Sequence, residues 1–570
     1  MNLKVNFIIL VVQVVFIEFW YSEIPQSSPG PRSVSLSKSP QPWVTALPVD
    51  SNTIPAAPSV ALNSLPRKSP PSKVVAVISQ FLPPFDKLGD DDGSLERCIR
   101  LYGSSGLRVH VYYAGNSVGK KDGEKSFEEY YGHDDNIQIH FIDPPTPPLI
   151  FPDVYGTGQM NRSFKIYRTL VADAEKIKFD AFLFDSTNGI STSTIQAKRS
   201  DLAFQTTTIV VGVFRDSSRT KKMMSGLIST QNDEVLYALE DYSRNFADLA
   251  VYGNNKLRDQ LAKFSLYEAA KTDANHVIIS NADRDYIDVI MTQAPVADSP
   301  PIDCSHVTIG IITFPERFDL ASDLLSRLST GQTCSNFKVL VFVNSNEPSN
   351  GKLNVPPNLS VRITGPPNKI TADVGSARNA IIHQVDTKYV VLFDDDDIPR
   401  DDYIYALLKA AISQDADLVT CHTANVEQRP SVEDISSKKV DFHHLSLAAG
   451  NVGPAANFFV HHTGKANVLL KTETAKSLGP CLPELSNGKT PFVDWGMYTN
   501  FILNNKIIAV VPEPLYYYVM HSSSSIYYSS SNEDRIFAAR KIVNEYCRHY
   551  KLDYMGCELL WLSKQISLAK

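Results

Sequence analysis

The sequence predicts an α/β protein with two doubly wound domains in series, behind a hydrophobic N-terminal segment and a polar stem. At 570 residues the chain is too long for one hydrophobic core. Short apolar runs typical of buried strands alternate with helical patterns in both halves, and a Pro-rich segment separates the halves. Because strands that alternate with helices form parallel sheets, each half is expected to be one such sheet with helices on its faces.

The N-terminal segment, residues 1–22, contains a nearly unbroken apolar run from residue 5 to residue 21. This length is at the short end of a membrane span and also fits a signal-peptide core. No small-x-small cleavage site follows, so we expect an uncleaved signal anchor rather than a signal peptide. Residues 23–72 are rich in Ser and Pro and lack periodicity, which predicts an extended stem. The layout is typical of a single-pass type II protein of the Golgi or ER membrane with a lumenal globular part; secretion after cleavage is the alternative.

The first globular domain is expected over residues 73–290. Its predicted strands are residues 74–78, 109–113, 138–142, 179–185, 208–214, 249–252 and 276–280, and a helix is predicted over residues 236–247. A linker follows at residues 291–304 and contains the segment QAPVADSPP (293–301).

The second domain is expected over residues 305–530, followed by a helical region at 531–570. Strands are predicted at residues 307–312, 337–343 and 389–393, and a helix at 319–328. The third strand runs into four consecutive aspartates, 394–397, at the carboxyl end where open α/β sheets bind ligands. If the run stays extended, Asp394 and Asp396 share one face. Crowded carboxylates repel unless a cation neutralises them, and hard oxygen ligands suit Mn²⁺ or Mg²⁺. The alternative is a solvated acidic turn or helix N-terminus capped by Asp397.

The composition argues against some functions and does not decide whether the cysteines are paired or free. The net charge is −7 and no long basic block is present, so nucleic acid is not an expected partner. The seven cysteines are scattered without a C-x-x-C pair, which gives no support to a zinc or redox site. In a lumenal chain the pairs Cys304/Cys334 and Cys547/Cys557 would form disulfides; otherwise they are free buried thiols.

Several segments of the second domain resemble family-2 glycosyltransferases in order and spacing. These segments are VTIGIITFPER (307–317), the strand that ends at Asn344, GSARN (375–379), FDDDDIP (393–399), FVDWG (492–496) and VVPEPLYYYVMHS (510–522). Two further segments, GKAN (464–467) and KSLG (476–479), are similar to acceptor-side loops of that family. The resemblance covers most of residues 305–525 and implies the GT-A fold.

The resemblance implies roles for particular residues. Asp394 and Asp396 would face the nucleotide-sugar and its Mn²⁺ or Mg²⁺, and the metal would neutralise the leaving diphosphate. Asp494 would be the general base in a single inverting displacement. Nucleotide contacts are expected from Thr313, Arg317, Asn344, Arg378 and Asp395, and His521 would lie near the diphosphate or the metal.

Each role has a structural alternative. Asp494 would otherwise be a helix N-cap, Arg378 a surface ion-pair partner, and His521 an ordinary hydrogen-bonded histidine. Trp495 and the tyrosines 516–518 are expected to be packing residues. Two positions depart from the family pattern: Asn344 replaces the Asp that reads the base, and Val493 replaces a Glu of the acceptor site.

The first domain resembles, more loosely, the N-terminal half of family-4 and starch-synthase-like glycosyltransferases, which have the GT-B fold. The similar segments are FLPP (81–84), DGSLE (92–96), FDAFLFD (179–185), AKRSDLAF (197–204) and LEDYSRNFAD (239–248). In those relatives this Rossmann-like half binds the acceptor. We therefore expect residues 73–290 to bind or position the acceptor or to serve as a scaffold.

The sequence thus predicts a metal-dependent inverting glycosyltransferase of the hexosyl- or N-acetylhexosaminyl type. Its donor would be a nucleotide-sugar, a UDP-sugar first of all, and its acceptor a hydroxyl of a glycan, glycoprotein or glycolipid. A sugar-phosphate nucleotidylyltransferase would need a Gly-rich basic loop after the first strand, which residues 313–317 do not provide. A carbohydrate-binding protein that keeps the fold without turnover is the non-enzymatic alternative, favoured by Asn344 and Val493.

Overall fold

The computed structural model describes residues 73–80, 94–115, 120–132, 134–143, 157–214, 231–253, 255–262, 265, 276–278, 302–345, 352–366, 373–431, 434–435, 444–459, 463–479, 492–520 and 531–568. The predicted signal anchor, stem and most of the linker lie outside these residues. The chain is a mixed α/β structure built on two largely parallel sheets, which confirms the predicted fold class at this level.

The first sheet has seven parallel strands in the order β3-β2-β1-β4-β5-β6-β7. They are β1 (Val74–Ser79), β2 (Arg108–Tyr113), β3 (Ile137–Phe141), β4 (Ala181–Asp185), β5 (Thr208–Val213), β6 (Leu249–Tyr252) and β7 (His276–Ile278). Its helices are α1 (Ser94–Ser104), α2 (Lys120–Tyr131), α3 (Thr157–Ala174), α4 (Thr192–Arg199), α5 (Gln231–Phe246) and α6 (Asn255–Ala262). Separate apolar clusters cover its two faces, as doubly wound sheets require.

The second sheet is mixed and follows the order β10-β9-β8-β11-β15-β13-β16-β12, with β14 beside β13. Its strands are β8 (Val307–Thr313), β9 (Lys338–Val343), β10 (Ser360–Thr364), β11 (Tyr389–Asp394), β12 (Ile398–Pro399), β13 (Leu418–Val426), β14 (His444–Ser446), β15 (Val468–Lys471) and β16 (Ile508–Val519). The associated helices are α7 (Phe318–Thr330), α8 (Val374–Gln384), α9 (Tyr403–Gln414), α10 (Gly453–Phe459), α11 (Thr472–Leu478) and α12 (Val493–Leu503). Strands β10, β9, β8 and β11 are parallel, whereas β15 is antiparallel to both of its neighbours.

The topology of the second sheet fixes where a ligand site can form. The chain proceeds outward from β8 to β9 and β10, then returns to place β11 on the other side of β8. The crevice at the carboxyl ends of β8 and β11 is therefore a topological switch point, the usual ligand site of such sheets. Helix α8 packs closely behind it, since a Cβ added at Gly310 of β8 would lie 2.3 Å from Ile381 Cγ2.

The two sheets pack against each other through α3, α4 and α5 of the first. Glu513 on β16 accepts hydrogen bonds from the Tyr167 hydroxyl and from Arg168 Nη1, each at 2.8 Å. The Ser200 hydroxyl donates to the Val510 carbonyl oxygen at 2.9 Å. An apolar cluster also crosses the interface, formed by Met160, Val235, Ala238 and Leu239 with Ala449 and Val452.

Two further helices, α13 (Asn532–Tyr550) and α14 (Tyr554–Leu568), follow the second sheet and pack on α12 and α10. The structure pairs Cys547 with Cys557 in this region and Cys304 with Cys334 before β9, at Cα separations of 5.6 and 6.1 Å. These are the pairs considered from the sequence. Within the described part of the chain, no helix has the length and apolar character needed to cross a membrane.

Candidate active site

Three predicted site residues meet at the switch point of the second sheet. Thr313 ends β8 and is fully buried, and Asp394 ends the neighbouring strand β11. Asn344 follows β9 and is also buried, and its backbone N–H donates to the Thr313 carbonyl oxygen at 2.8 Å. The topology alone brings these residues together, because parallel strands end at one edge of the sheet.

The four aspartates 394–397, called the acidic turn below, leave the strand at once. β11 ends at Asp394, and the Asp397 N–H donates to the Asp394 carbonyl oxygen at 3.3 Å, as in a β-turn. The extended run assumed from the sequence therefore stops at its first residue. The physical reason is Asp397, whose carboxylate is buried and accepts from Asn467 Nδ2 at 2.5 Å and from the Val519 N–H at 3.2 Å.

Two arginines pair with the other three carboxylates of the acidic turn. Arg317 Nη2 lies 2.5 Å from Asp395 Oδ1 and 2.6 Å from Asp396 Oδ2, so one guanidinium bridges two neighbouring aspartates. Arg378 Nη2 contacts both oxygens of Asp394, at 3.0 and 3.2 Å.

Burial favours the uncharged forms of Asp395 and Asp397, the two most buried residues of the acidic turn. Burial raises the pKa of Asp395 to about 7, and Arg317 offsets this only in part. The pKa of Asp397 is raised well above its usual range, first by burial and then by the charges of Asp396 and Asp394. Burial acts to lower the pKa of Arg317, but the attraction of Asp396 and Asp395 outweighs it, so the net shift is upward. Arg317 therefore carries a full charge in the middle of the turn.

The predicted base, Asp494, lies in the first turn of α12 and is half-buried. It follows the first helical residue and is not the N-cap, which is Phe492 in a left-handed conformation. The Trp495 backbone N–H donates to Asp494 Oδ1 at 2.9 Å. Val493, at the position of the family Glu, is buried in the core of the second sheet and contributes nothing to an open site.

Lys465 interacts electrostatically with both the acidic turn and Asp494. Burial lowers the pKa of Lys465, and the charges of Asp494 and Asp397 both oppose that shift, which places this ammonium near the two acidic groups. Its Nζ lies 4.5 Å from the centroid of the Tyr518 ring. Burial raises the pKa of the Tyr518 hydroxyl, as do the charges of the acidic turn and of Asp494. Lys465 and Tyr518 therefore mark the middle of the site.

Helices α10 and α14 pack against α12 and fix its position. Trp495 Nε1 donates to the Asn457 carbonyl oxygen at 2.7 Å, and the buried Lys564 Nζ lies 3.4 Å from the centroid of the Trp495 ring. Lys564 also donates to the Phe458 carbonyl oxygen at 2.6 Å. Trp495 is thus a packing residue, as expected, and it ties the helix that carries Asp494 to α10 and α14.

The structure bears on the structural alternatives given for Arg378 and Asp397. Arg378 is only 7% exposed and pairs inside the site, so the surface-pair interpretation is wrong. Asp397 caps no helix, because it is buried and precedes β12. His521 lies outside the described residues.

Sequence reasoning missed several contributors to the site. Asn467 connects the acidic turn to β15, since its Oδ1 also accepts from the Asp394 N–H at 3.1 Å. Arg429 Nη1 donates to the Asp396 carbonyl oxygen at 2.7 Å. Asn467 and Lys465 fall in the GKAN segment, which is similar to a loop of the family, so this similarity could have indicated them. Arg429 and Lys564 lie outside the short segments that carry the resemblance in the sequence.

The donor atoms of the acidic turn suit a hard divalent cation. Asp395 Oδ2 is buried and accepts no hydrogen bond from the part of the chain the structure describes. Asp396 is partly exposed beside it, and carboxylate oxygens are the ligands that Mn²⁺ and Mg²⁺ prefer. Within the described ranges, no three His, Cys, Asp or Glu side chains are arranged as a ready metal-binding group.

Comparison with known proteins bears on this site directly. Residues 368–449 match the family model described as glycosyl transferase family 2. The matched stretch contains Arg378 and the whole acidic turn, and it confirms the resemblance and the glycosyltransferase class predicted for the second domain. Thr313, Arg317, Asn344 and Asp494 lie outside it. A search of curated protein sequences gives no match.

Solved structures of glycosyltransferases are similar to part of the chain. TarS 1-349 of S. aureus matches with 14% identity and a TM-score of 0.31, over 45% of this chain and 70% of that one. A TarS structure in complex with UDP-GlcNAc matches to the same extent. Mannosyltransferase PcManGT of Pyrobaculum calidifontis, in complex with GDP-Man and Mn²⁺, matches with 13% identity and a TM-score of 0.31, over 46% of this chain and 73% of that one.

Proposed function

We propose that the second domain is a metal-dependent inverting glycosyltransferase, which moves a sugar from a nucleotide-sugar donor to a hydroxyl of a glycan, glycoprotein or glycolipid. The observation that carries the proposal is the acidic turn at the switch point of the sheet, where Arg317 and Arg378 pair with its carboxylates. Asp494 lies on a separate helix, and both Asp494 and Asp397 of the turn act electrostatically on Lys465. A donor held at the turn would place its anomeric carbon towards Asp494 and the acceptor.

In this mechanism Asp494 accepts the proton of the acceptor hydroxyl. The hydroxyl oxygen bonds to the anomeric carbon as the bond from that carbon to the diphosphate oxygen breaks, and the electron pair leaves with the diphosphate. A single displacement inverts the anomeric configuration. Lys465 is a cation near this line and would stabilise negative charge that develops on the leaving group.

Asp395 and Asp396 would hold a Mn²⁺ or Mg²⁺ ion, which when bound would neutralise the diphosphate as a Lewis acid. Asp394, expected from the sequence to face the metal as well, would stay paired with Arg378 through both of its oxygens. Thr313 and Asn344 would line the nucleotide side, because both lie at the same sheet edge. A UDP-sugar is the first donor to test, and GDP-sugars are tested beside it because Asn344 replaces the family Asp that reads the base.

We further propose that the first domain positions the acceptor or serves as a scaffold, in keeping with its similarity to GT-B acceptor halves. Support comes from its packing beside the acceptor side of the second domain. The interface residues Ala449 and Val452 precede the loop that carries Lys465, and the Gly450 N–H donates to the Thr463 carbonyl oxygen at 3.4 Å.

A lumenal location, with residues 1–22 as anchor, is likewise proposed. The cysteine pairs 304/334 and 547/557 support it, because their Cα separations fit disulfides, which persist in oxidising compartments. Of the two N-glycosylation sequons, Asn358 is exposed, whereas Asn161 is half-buried within α3. Endoglycosidase treatment of the expressed protein should therefore release glycan from Asn358. A chain without glycan and with free thiols at all four cysteines would contradict this location.

The function is tested by nucleotide release from a panel of UDP- and GDP-sugars with and without Mn²⁺. At least one donor should release its nucleoside diphosphate, and the same donor should raise the melting temperature, since a bound ligand stabilises the fold by mass action. Donor binding without release, with glycan acceptors present, would favour the non-catalytic alternative instead.

A further inference from the structure

We propose that Arg317 is an internal counter-ion of the acidic turn, which a divalent cation displaces when it binds. The inference rests on the proposed metal-dependent function and adds a competitor for the metal within the chain itself. It starts from one contact, the Arg317 Nη2 atom between Asp395 Oδ1 at 2.5 Å and Asp396 Oδ2 at 2.6 Å. Asp395 and Asp396 are the residues that would hold the cation, and the Arg317 nitrogen occupies the space between their carboxylates.

The two arginines of the site differ in their freedom to move. Arg378 projects from α8, is 7% exposed and contacts both oxygens of Asp394. Arg317 is 30% exposed and ends the short 3₁₀ helix Pro315–Arg317. Because its side chain already reaches solvent, Arg317 can leave the turn without opening the core, whereas Arg378 cannot.

Arg317 also satisfies the acidic turn incompletely. Asp395 is 2% exposed, yet its Oδ2 receives no hydrogen bond from any described residue. A buried carboxylate oxygen without a partner is costly, and a monovalent guanidinium that reaches only Oδ1 does not remove that cost. A divalent cation carries twice the charge and accepts several oxygen ligands at once. The exchange of Arg317 for the cation is therefore favourable at the turn.

Displacement of Arg317 by the cation would also change how the nucleotide-sugar donor is bound. The displaced guanidinium remains tethered beside the metal and faces solvent, where the diphosphate of a nucleotide-sugar must enter. A planar guanidinium binds phosphate oxygens in a bidentate manner. Arg317 would therefore offset part of the negative charge of the turn in the free protein and contact the diphosphate in the loaded one.

The test is Mn²⁺ affinity of the full chain without nucleotide, measured by the electron paramagnetic resonance signal of free Mn²⁺. The proteins compared are wild type, Arg317→Gln, Arg317→Lys and the control Arg327→Gln. The control removes the same charge from a residue that pairs with Asp323 and does not contact the acidic turn. Arg317→Gln should bind Mn²⁺ at least about tenfold more tightly than wild type, because the ion no longer competes with a nearby charge. Arg317→Lys should lie between, and the control should match wild type. If Arg317→Gln does not fold, the Lys variant alone carries the comparison.

Equal or weaker Mn²⁺ binding by the Arg317 variants would overturn the proposal, and so would a complete lack of Mn²⁺ binding by all four proteins. Nucleotide release without metal would in that last case leave glycosyl transfer standing. Conversely, tighter binding by Arg317→Gln, with no nucleotide released from any donor by wild type, would support the counter-ion and count against the proposed function.

Discussion

The substitution Asn467→Leu tests how much the buried Asn467 side-chain amide contributes to the stability of the acidic turn. The side chain is 2% exposed, donates to Asp397 Oδ2 at 2.5 Å and accepts from the Asp394 N–H at 3.1 Å. Leu has the same branching and the same number of side-chain heavy atoms, so the change removes both hydrogen bonds while the side-chain shape is kept. The acidic turn would then lose its connection to β15.

The expected loss of stability comes from two groups that lose a hydrogen bond, the Asp394 N–H and the Asp397 carboxyl. A buried donor or acceptor without its partner destabilises a protein by about 1–3 kcal/mol. Asp397 keeps the Val519 N–H, so its share lies at the low end. The sum is about 3 kcal/mol, which lowers the melting temperature of a domain of this size by about 6–12 °C.

The assay is thermal unfolding followed by tryptophan fluorescence, with Asn504→Leu as the matched control. Asn504 is exposed at the end of α12, and its side chain donates only to the Asn500 carbonyl oxygen. Exposed substitutions of this kind change stability by about 0.5 kcal/mol at most. If Asn467→Leu is no more destabilising than Asn504→Leu, the hydrogen-bond network assigned to the turn is wrong.

Three other predictions concern the surroundings of the site. Lys564→Met removes the buried amino group over the Trp495 ring and its hydrogen bond to the Phe458 carbonyl oxygen, and should lower kcat for nucleotide release while the donor KM stays within about twofold. An unchanged kcat would mean that α14 does not position Asp494. Glu513→Gln loses its ion pair with Arg168, which is half exposed, so stability should fall by only about 1 kcal/mol while limited proteolysis of the linker becomes faster; an unchanged cleavage rate would argue against this contact as a domain clamp. Burial lowers the pKa of His110 to about 4 from an ordinary value of 6.5, so the unfolded chain takes up the proton first and the first domain should lose stability as pH falls from 6.5 towards 4. Thermal unfolding over this range should show a smaller loss for His110→Gln, and equal losses would contradict the assignment.

The order of strands and helices was largely predictable because buried strands are apolar runs of distinctive length. Strand β6 begins and ends where predicted, and β1, β2, β5 and β8 differ by a residue at one end. Six strands of the second sheet were not predicted: β10, β12, β13, β14, β15 and β16. Three of them, β12, β14 and β15, have only two to four residues and carry no periodic signal of their own. They are set by pairing with neighbours far along the chain.

The site was predictable in part for the same reason. Residues at the carboxyl ends of parallel strands must meet, so Thr313, Asn344 and Asp394 could be placed together from the sequence. The turn at Asp395 and Asp396 could not, because it depends on Asn467 and Val519, which come 70 and 122 residues after their contact Asp397. Likewise, nothing in the local sequence of Arg317 indicates that it pairs with aspartates rather than with a ligand.

Comparison of Asp494→Asn with Asp396→Ala in nucleotide release tests the central claim most directly. The donor is the nucleotide-sugar that wild type uses, with Mn²⁺ present, and donor binding is followed in parallel by thermal shift. If the acidic turn binds the donor and Asp494 removes the acceptor proton, Asp494→Asn should keep donor binding and lose release by about 10²–10⁴-fold. Asp396→Ala should lose donor binding as well. Wild-type release rates in both variants would contradict the proposed active site.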